Sequence, residues 1–336
     1  MRCENLRRSI LKLELVWYNN FVLLYLGAAM EDPMNRFESL YNLLQREIPE
    51  LELRREEPMS RHTTFKIGGP AALMALPAAE GQLEAVMKLA RMEGMEPLFV
   101  GLGSNLLVDD SGLDALVVKT APQINACRVD GNCITAWAGA PLAQVANAAA
   151  DHALTGLEFA HGIPGSLGGA VVMDAGAYDG EMRQVVRSVR ALNRNCEVEE
   201  LTAEQCEFGY RRSVFSDGSR LVLSAVMELR PGEETVIRSR MAELMEKRRS
   251  KQPLEWPSAG STFKRPEGYF SAALIDQCGL KGFRVGGAQV SEKHAGFVIN
   301  AGGATCRDIL DLIDAVRERV FRETGVELEP EVKYLR

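Results

Sequence analysis

Three short polar segments of this chain carry side chains suited to chemistry. Phe208-Gly209-Tyr210-Arg211-Arg212-Ser213 sets two arginines beside a glycine turn. A guanidinium there can grip a carboxylate with its rigid donor fork; the plainer alternative is ordinary surface charge. Ser258-Ala259-Gly260-Ser261-Thr262-Phe263-Lys264-Arg265-Pro266 surrounds Ser261 with small residues, so a ligand can approach its hydroxyl, although a serine closing a turn looks the same. Glu329-Pro330-Glu331-Val332 puts two carboxylates near the C-terminus, where a solvated acidic tail is the simpler reading. His62, His152, His161 and His294 lack metal-ligand spacing, and neither GxSxG nor HExxH occurs, so no metal and no hydrolase triad is expected.

Two glycine-rich stretches indicate what these groups would serve. Residues 161–180 read HGIPGSLGGAVVMDAGAYDG, with Gly162, Gly165, Gly168 and Gly169 close together and Pro164 stiffening the first turn. Each glycine can take a positive φ and has no Cβ, so the loop can aim several N–H groups at one anion such as a pyrophosphate. The small-residue turn Ala175-Gly176-Ala177 leaves backbone bare enough for a flat ring. Upstream, Gly101-Leu102-Gly103-Ser104-Asn105 follows an apolar, strand-like run at 97–100. Two such loops suit a long, two-ended ligand such as a dinucleotide. Neither matches GxGxxG or the P-loop pattern, which disfavours a Rossmann or Walker site.

The elements that position these groups follow from periodicity. Helices are predicted at 35–48, 82–93, 141–154, 233–251, 271–278 and 305–324, with Pro49 and Gly94 stopping the first two. Strands are predicted at 61–70 (running into a glycine turn), 73–76, 98–100, 115–119, 185–192, 198–201, 221–229, 287–291 and 296–300. Asp130-Gly131-Asn132 marks a hairpin. Ile309, Leu312, Ile313, Val316 and Val320 form an apolar stripe that reads as core. Lys247, Arg248, Arg249 and Lys251 read as cations complementing a helix C-terminus, in preference to phosphate ligands.

With 336 residues, the chain has room for two or three domains. A net charge of −7 provides no basic field for a nucleic-acid backbone. Seven cysteines without a CxxC point to reduced thiols and a cytoplasmic protein. Residues 1–34 loosely imitate a secretory signal, but Glu14, Asn19 and Asn20 interrupt the apolar run. They are expected to lie outside the fold, with Met30 or Met34 as alternative starts.

The motifs HTTFKIGGPA, VGLGSNLLV, GLEFAHGIPGSLGGAV with AGAY, FGYRRSVF, PSAGSTFKRP, AALIDQCGLKGFRVGGAQVSEKHAGFVIN and LEPEVKYL follow one another over almost the whole chain. Together they resemble the UDP-N-acetylenolpyruvoylglucosamine reductase family, flavoenzymes of bacterial cell-wall precursor synthesis. The absence of an insertion between Arg265 and the helix at 271 matches the shorter family type.

The resemblance implies an α+β fold: a two-lobed FAD-binding module of the vanillyl-alcohol-oxidase-like type plus a C-terminal α+β substrate domain. The first lobe would span 35–120, completed by about 326–336, the second 121–230, and the substrate domain 231–325. FAD, held non-covalently, would place its pyrophosphate on Gly101, Leu102, Gly103, Ser104, Asn105, Gly162, Ile163, Pro164, Gly165, Ser166, Gly168 and Gly169, near Ala175 and Gly176. NADPH would reduce it. Hydride from flavin N5 would then reduce the enolpyruvyl group of the sugar nucleotide. Ser261 would donate the proton, with Arg211 and a protonated Glu331 holding the substrate carboxylate. Arg265 and Lys281 would contact the substrate phosphates, with Tyr210 and His294 nearby. A monomer without membrane or nucleic-acid partners is implied. One departure is Asp174, where the family usually has Asn; facing the flavin, it would alter affinity or potential.

Overall fold

Leu73, Met74, Ala75 and Leu76 are consecutive, apolar and all buried, as expected of a strand covered on both faces. In the computed structural model, which describes residues 33–336 with side chains from Arg36, their strand Pro70–Leu76 lies inside a four-stranded sheet. The order is Glu52–Pro58, Pro70–Leu76, Leu113–Lys119, Leu98–Val100. The first pair is antiparallel and the other two are parallel. Helices Pro33–Glu47 and Glu80–Met92 cover one face through Leu40, Leu44, Leu83, Val86 and Met87. Gly94, at φ +70°, turns the chain out of the second helix. The sequence reading of residues 1–32 falls outside the described residues.

The second lobe is a five-stranded antiparallel sheet ordered Val198–Thr202, Val186–Leu192, Leu221–Glu228, Cys133–Trp137, Cys127–Asp130. Helices Leu142–Asp151 and Leu167–Val172 pack on it around Val145, Ala149, Leu167 and Val171. Helix Glu234–Lys251 adds Ile237 and Met241 to the same core. A third core joins the strands Ala288–Val290 and Val298–Asn300 to helices Ser271–Gln277 and Cys306–Thr324. There the expected stripe of Ile309, Leu312, Ile313, Val316 and Val320 is buried. Thr305 and Asp308 form a capping box at that helix's start. The chain then returns to the first lobe, where Lys333–Leu335 pairs in parallel with Leu106–Val108.

Three local details go beyond or against the periodicity. Residues 61–69 form no strand: a 3₁₀ turn at Met59–Arg61 is followed by irregular backbone, and pairing begins at Pro70. Thr63 explains this, because its hydroxyl donates to the Ile67 carbonyl (2.9 Å) and closes a local turn that competes with a ladder. Asp130 pairs with Cys133, so the hairpin turns on Gly131-Asn132. Leu167–Val172, to which periodicity gives no element, forms a short helix.

Candidate active site

Glu331 lies on a segment stitched to two others. Its N–H donates to the Thr262 carbonyl (2.8 Å), and its own carbonyl accepts from Asn105 Nδ2 (3.2 Å). Lys264 N–H donates to the Glu329 carbonyl (2.9 Å), and Lys333 N–H to the Asn105 carbonyl (2.9 Å). The C-terminal return thus bridges the first glycine loop and the serine segment. Ser261 precedes Thr262, whose N–H donates to Gly296 O (2.8 Å) and whose hydroxyl accepts from Val298 N–H (2.9 Å). A buried, doubly bonded Thr262 gives the exposed Ser261 a fixed mount.

Arg211 arrives from the second lobe. Gly209 and Arg212 exchange backbone hydrogen bonds of 3.0 and 2.9 Å, leaving Tyr210 and Arg211 at the tip of a tight turn. Arg211 has φ +57°, a left-handed conformation uncommon outside glycine, and strain of this kind gathers at functional sites. Its Nε donates to Glu331 Oε1 at 2.8 Å, with the two side chains only 21% and 14% exposed. The Asp174 and Gly176 carbonyls lie 3.5 and 3.4 Å from its Nη atoms. Burial pushes the Glu331 carboxyl above its usual range, against the opposing pull of Arg211, Lys264 and Lys333.

Tyr210 OH accepts from Arg265 N–H (3.1 Å), and the Arg265 guanidinium lies 4.5 Å from the Phe270 ring centroid. Tyr210, Lys264, Arg265, Glu327 and Glu329 are among the residues lining a cavity of about 350 Å³. Lys281 pairs with Asp276 (2.7 Å). His294 accepts from Gly296 N–H (3.2 Å) and meets the Phe297 ring edge-on. Burial, helped by the neighbouring Lys281 charge, pulls the His294 imidazole below its usual range. Ser261, Arg211 and Glu331 therefore share one region with Tyr210 and Arg265, and Lys281 and His294 adjoin it through Gly296.

The glycine loops abut. A Cβ on Gly101 would lie 2.1 Å from Ser166 Oγ, and one on Gly165 would lie 3.8 Å from Ser104 Oγ. In the first loop, the N–H groups of Gly101, Leu102, Gly103, Ser104 and Asn105 make no backbone hydrogen bond among the described residues. Lys119 Nζ holds the Gly101 carbonyl (2.8 Å), and burial pulls this lysine down to about 8. The second loop corrects the sequence reading, because no residue from Gly162 to Gly169 takes a positive φ. Leu167 and Gly168 spend their N–H groups on Ala140 and Ala138 carbonyls (2.8 Å each). Close packing explains Gly168: a Cβ there would meet Ala138 Cβ at 3.0 Å. Ile163, Pro164, Ser166 and Gly169 lie along the same loop, and Ala175-Gly176 runs from it to Arg211. Asp174 is buried at φ +43° and its Oδ1 accepts from Arg183 N–H (2.9 Å), so the carboxyl is engaged by Arg183, and burial pushes it upward.

A family profile described as UDP-N-acetylenolpyruvoylglucosamine reductase, C-terminal domain, matches residues 252–335, and an FAD binding domain profile matches residues 71–202. The reductase of that name from Clostridium perfringens is 47% identical over 302 residues, covering 90% of this chain and 99% of the relative. The chain belongs to the UDP-N-acetylenolpyruvoylglucosamine reductase family. The Clostridioides difficile member is 46% identical over 297 residues, covering 88% of this chain and 96% of its own. The crystal structure of the Thermus caldophilus reductase is 33% identical, covers 85% of this chain and 99% of its own, and superposes with a TM-score of 0.73. This chain is thus an FAD-containing oxidoreductase with the α+β fold of that family.

The residues present fit a bound FAD. Besides the free amides of the first loop, buried polar atoms without a hydrogen-bond partner among the described residues flank the loops, including Thr64 Oγ1, His161 Nδ1, Asp174 Oδ2 and Arg248 Nε. Thr64 sits against the first loop through its N–H to the Gly103 carbonyl (3.2 Å). His62, by contrast, is buried and its Nε2 is paired with Glu57 (2.9 Å). Sequence reasoning missed Thr64 and Arg248. Thr64 is part of the HTTFKIGGPA motif, which was its available signal; Arg248 sits in a basic run that looks like helix-end charge. Among the described residues no helix is long and apolar enough to cross a membrane.

Proposed function

We propose that this chain reduces the enolpyruvyl group of UDP-N-acetylglucosamine enolpyruvate to the lactyl ether of UDP-N-acetylmuramate, in peptidoglycan precursor synthesis, as a cytoplasmic monomer. The observation that carries this reading is the half-buried Arg211–Glu331 pair, drawn from distant parts of the chain and mounted beside Ser261. When bound, FAD supplies the hydride relay from NADPH to the terminal enol carbon. Negative charge then builds on the neighbouring carbon and, by conjugation, on the substrate carboxylate.

Arg211 and Glu331 hold that carboxylate. Two ionised carboxylates would repel, so Glu331 acts in its acid form, and the upward push of burial supports this. Without substrate Arg211 is engaged by Glu331, so the arriving carboxylate takes over the guanidinium as Glu331 gains a proton. Ser261 protonates the carbon. A serine hydroxyl is a weak acid, which suits a strongly basic, enolate-like carbon, and its exposure lets water restore the proton. Arg265 and Lys281 hold the substrate diphosphate, with Tyr210 and His294 shaping the approach. Of the domain expected at 231–325, the part after helix Glu234–Lys251 covers the substrate, because that helix packs into the second-lobe core instead. Anaerobic mixing with NADPH should bleach the flavin, and the enolpyruvyl sugar nucleotide should restore its colour. Bleaching that this substrate does not reverse would overturn the reading.

A further inference from the structure

The basic end of helix Glu234–Lys251 contains one cation unlike the rest. Arg238 pairs with Asp151 and Glu234, while Arg240 and Lys247 both pair with Glu243. Arg249 and Lys251 are exposed. Among the described residues, Arg248 has no ion-pair partner, and it is not exposed. Its Nε is buried without a hydrogen-bond partner, and its one ionisable neighbour of electrostatic weight is the Tyr178 phenol. An uncompensated buried charge is costly, so a guanidinium left this way is poised for an anion.

Its position names the anion. A Cβ on Gly162 would lie 3.2 Å from Arg248 Cδ and 3.6 Å from Nη1, so the bare glycine is what admits this side chain to the second loop. The neighbouring residue, His161, carries another buried and unpartnered atom, Nδ1. Tyr178 belongs to the turn after Ala175-Gly176 and is held at φ +51°. Ile237 and Met241 fix the helix in the second-lobe core, beside the loop. The residues read as substrate contacts, Tyr210 and Arg265, line a different cavity.

We propose that Arg248 is the counter-charge for the FAD pyrophosphate at the second glycine loop, a role that rests on reading residues 101–105 and 162–169 as the diphosphate cradle. A planar guanidinium fork suits two phosphate oxygens, and it supplies the full charge that backbone amides supply only in part.

The test is titration of the flavin-free full chain with FAD and with riboflavin, which lacks the phosphates, followed by flavin fluorescence. Wild-type protein should strongly prefer FAD; equal affinity for both would sink the cradle reading itself. Arg248→Met should weaken FAD roughly 10–100-fold and leave riboflavin unchanged. Arg248→Lys should restore part of the loss, and Arg248→Gln should not, which gives a second comparison if the Met variant folds poorly. FAD affinity within about twofold of wild type, or an equal loss for riboflavin, would overturn the assignment.

Discussion

The region proposed to hold the cofactor and the region proposed to transfer the proton are built from opposite materials. Residues 101–105 and 162–169, read as the cofactor cradle, would act through backbone and through the lack of side chains: free amides and a left-handed Gly103 at φ +67° in the first loop, and glycines closely approached by neighbouring atoms in both. In the proposed mechanism Ser261, Arg211 and Glu331 act through side-chain functional groups, delivered by three segments far apart in sequence and joined by the hydrogen bonds around Thr262 and Asn105. Adding atoms should damage the first region, whereas removing atoms should damage the second. Damage to one should leave the other's readout intact: loop variants lose flavin, and cluster variants keep it.

The largest separation is expected at Glu331. Glu331→Ala removes the acid and strands Arg211, and turnover should fall by roughly 10²–10³ while FAD stays bound. Glu331→Gln keeps a donor and should retain clearly more activity; steady-state rates on the two variants decide, and equal losses would break the protonated-acid role. The same residue carries a pH signature. Burial pushes its carboxyl above the usual range, and the proposed mechanism has it protonated once the substrate carboxylate is bound. Calorimetry in buffers of different ionisation enthalpy should show proton uptake on binding, and substrate affinity should weaken as pH rises. Glu331→Gln should lose both effects.

Smaller effects are expected in the loops, and they should be unequal. Gly103→Ala forces a left-handed alanine and sets its Cβ 1.9 Å from the His62 carbonyl oxygen. A stability cost of at least about 1–2 kcal/mol is expected, with weakened FAD binding. Gly165→Ala meets nothing nearer than 3.7 Å at a φ outside the left-handed region, so its cost should stay within about 0.5 kcal/mol. Thermal unfolding of the two variants checks this, and equal losses would erase the distinction between the glycines.

Periodicity made the elements legible because burial is local and repeats. The stripe on Cys306–Thr324 and the run at Leu73–Leu76 read directly as core. The motif order made the family legible. Sequence could not tell why each glycine is there, because it shows a missing Cβ and not the atom that fills its space: Ala138 for Gly168, the His62 carbonyl for Gly103. Nor could residue types separate Arg211 from Arg212, or Arg248 from Arg249. Each pair has one sequence context, and only the fold turns one member inward. Asp174 differs likewise, since its engagement by Arg183 depends on a turn closed nine residues on.

The central claim is that flavin chemistry and carbon protonation reside in separable parts of the protein. It is tested most directly with Ser261→Ala, loaded with FAD and mixed anaerobically first with NADPH and then with the enolpyruvyl sugar nucleotide. The account predicts bleaching at the wild-type rate, followed by product formation slowed by roughly 10²–10³. Product formation at the wild-type rate would contradict it.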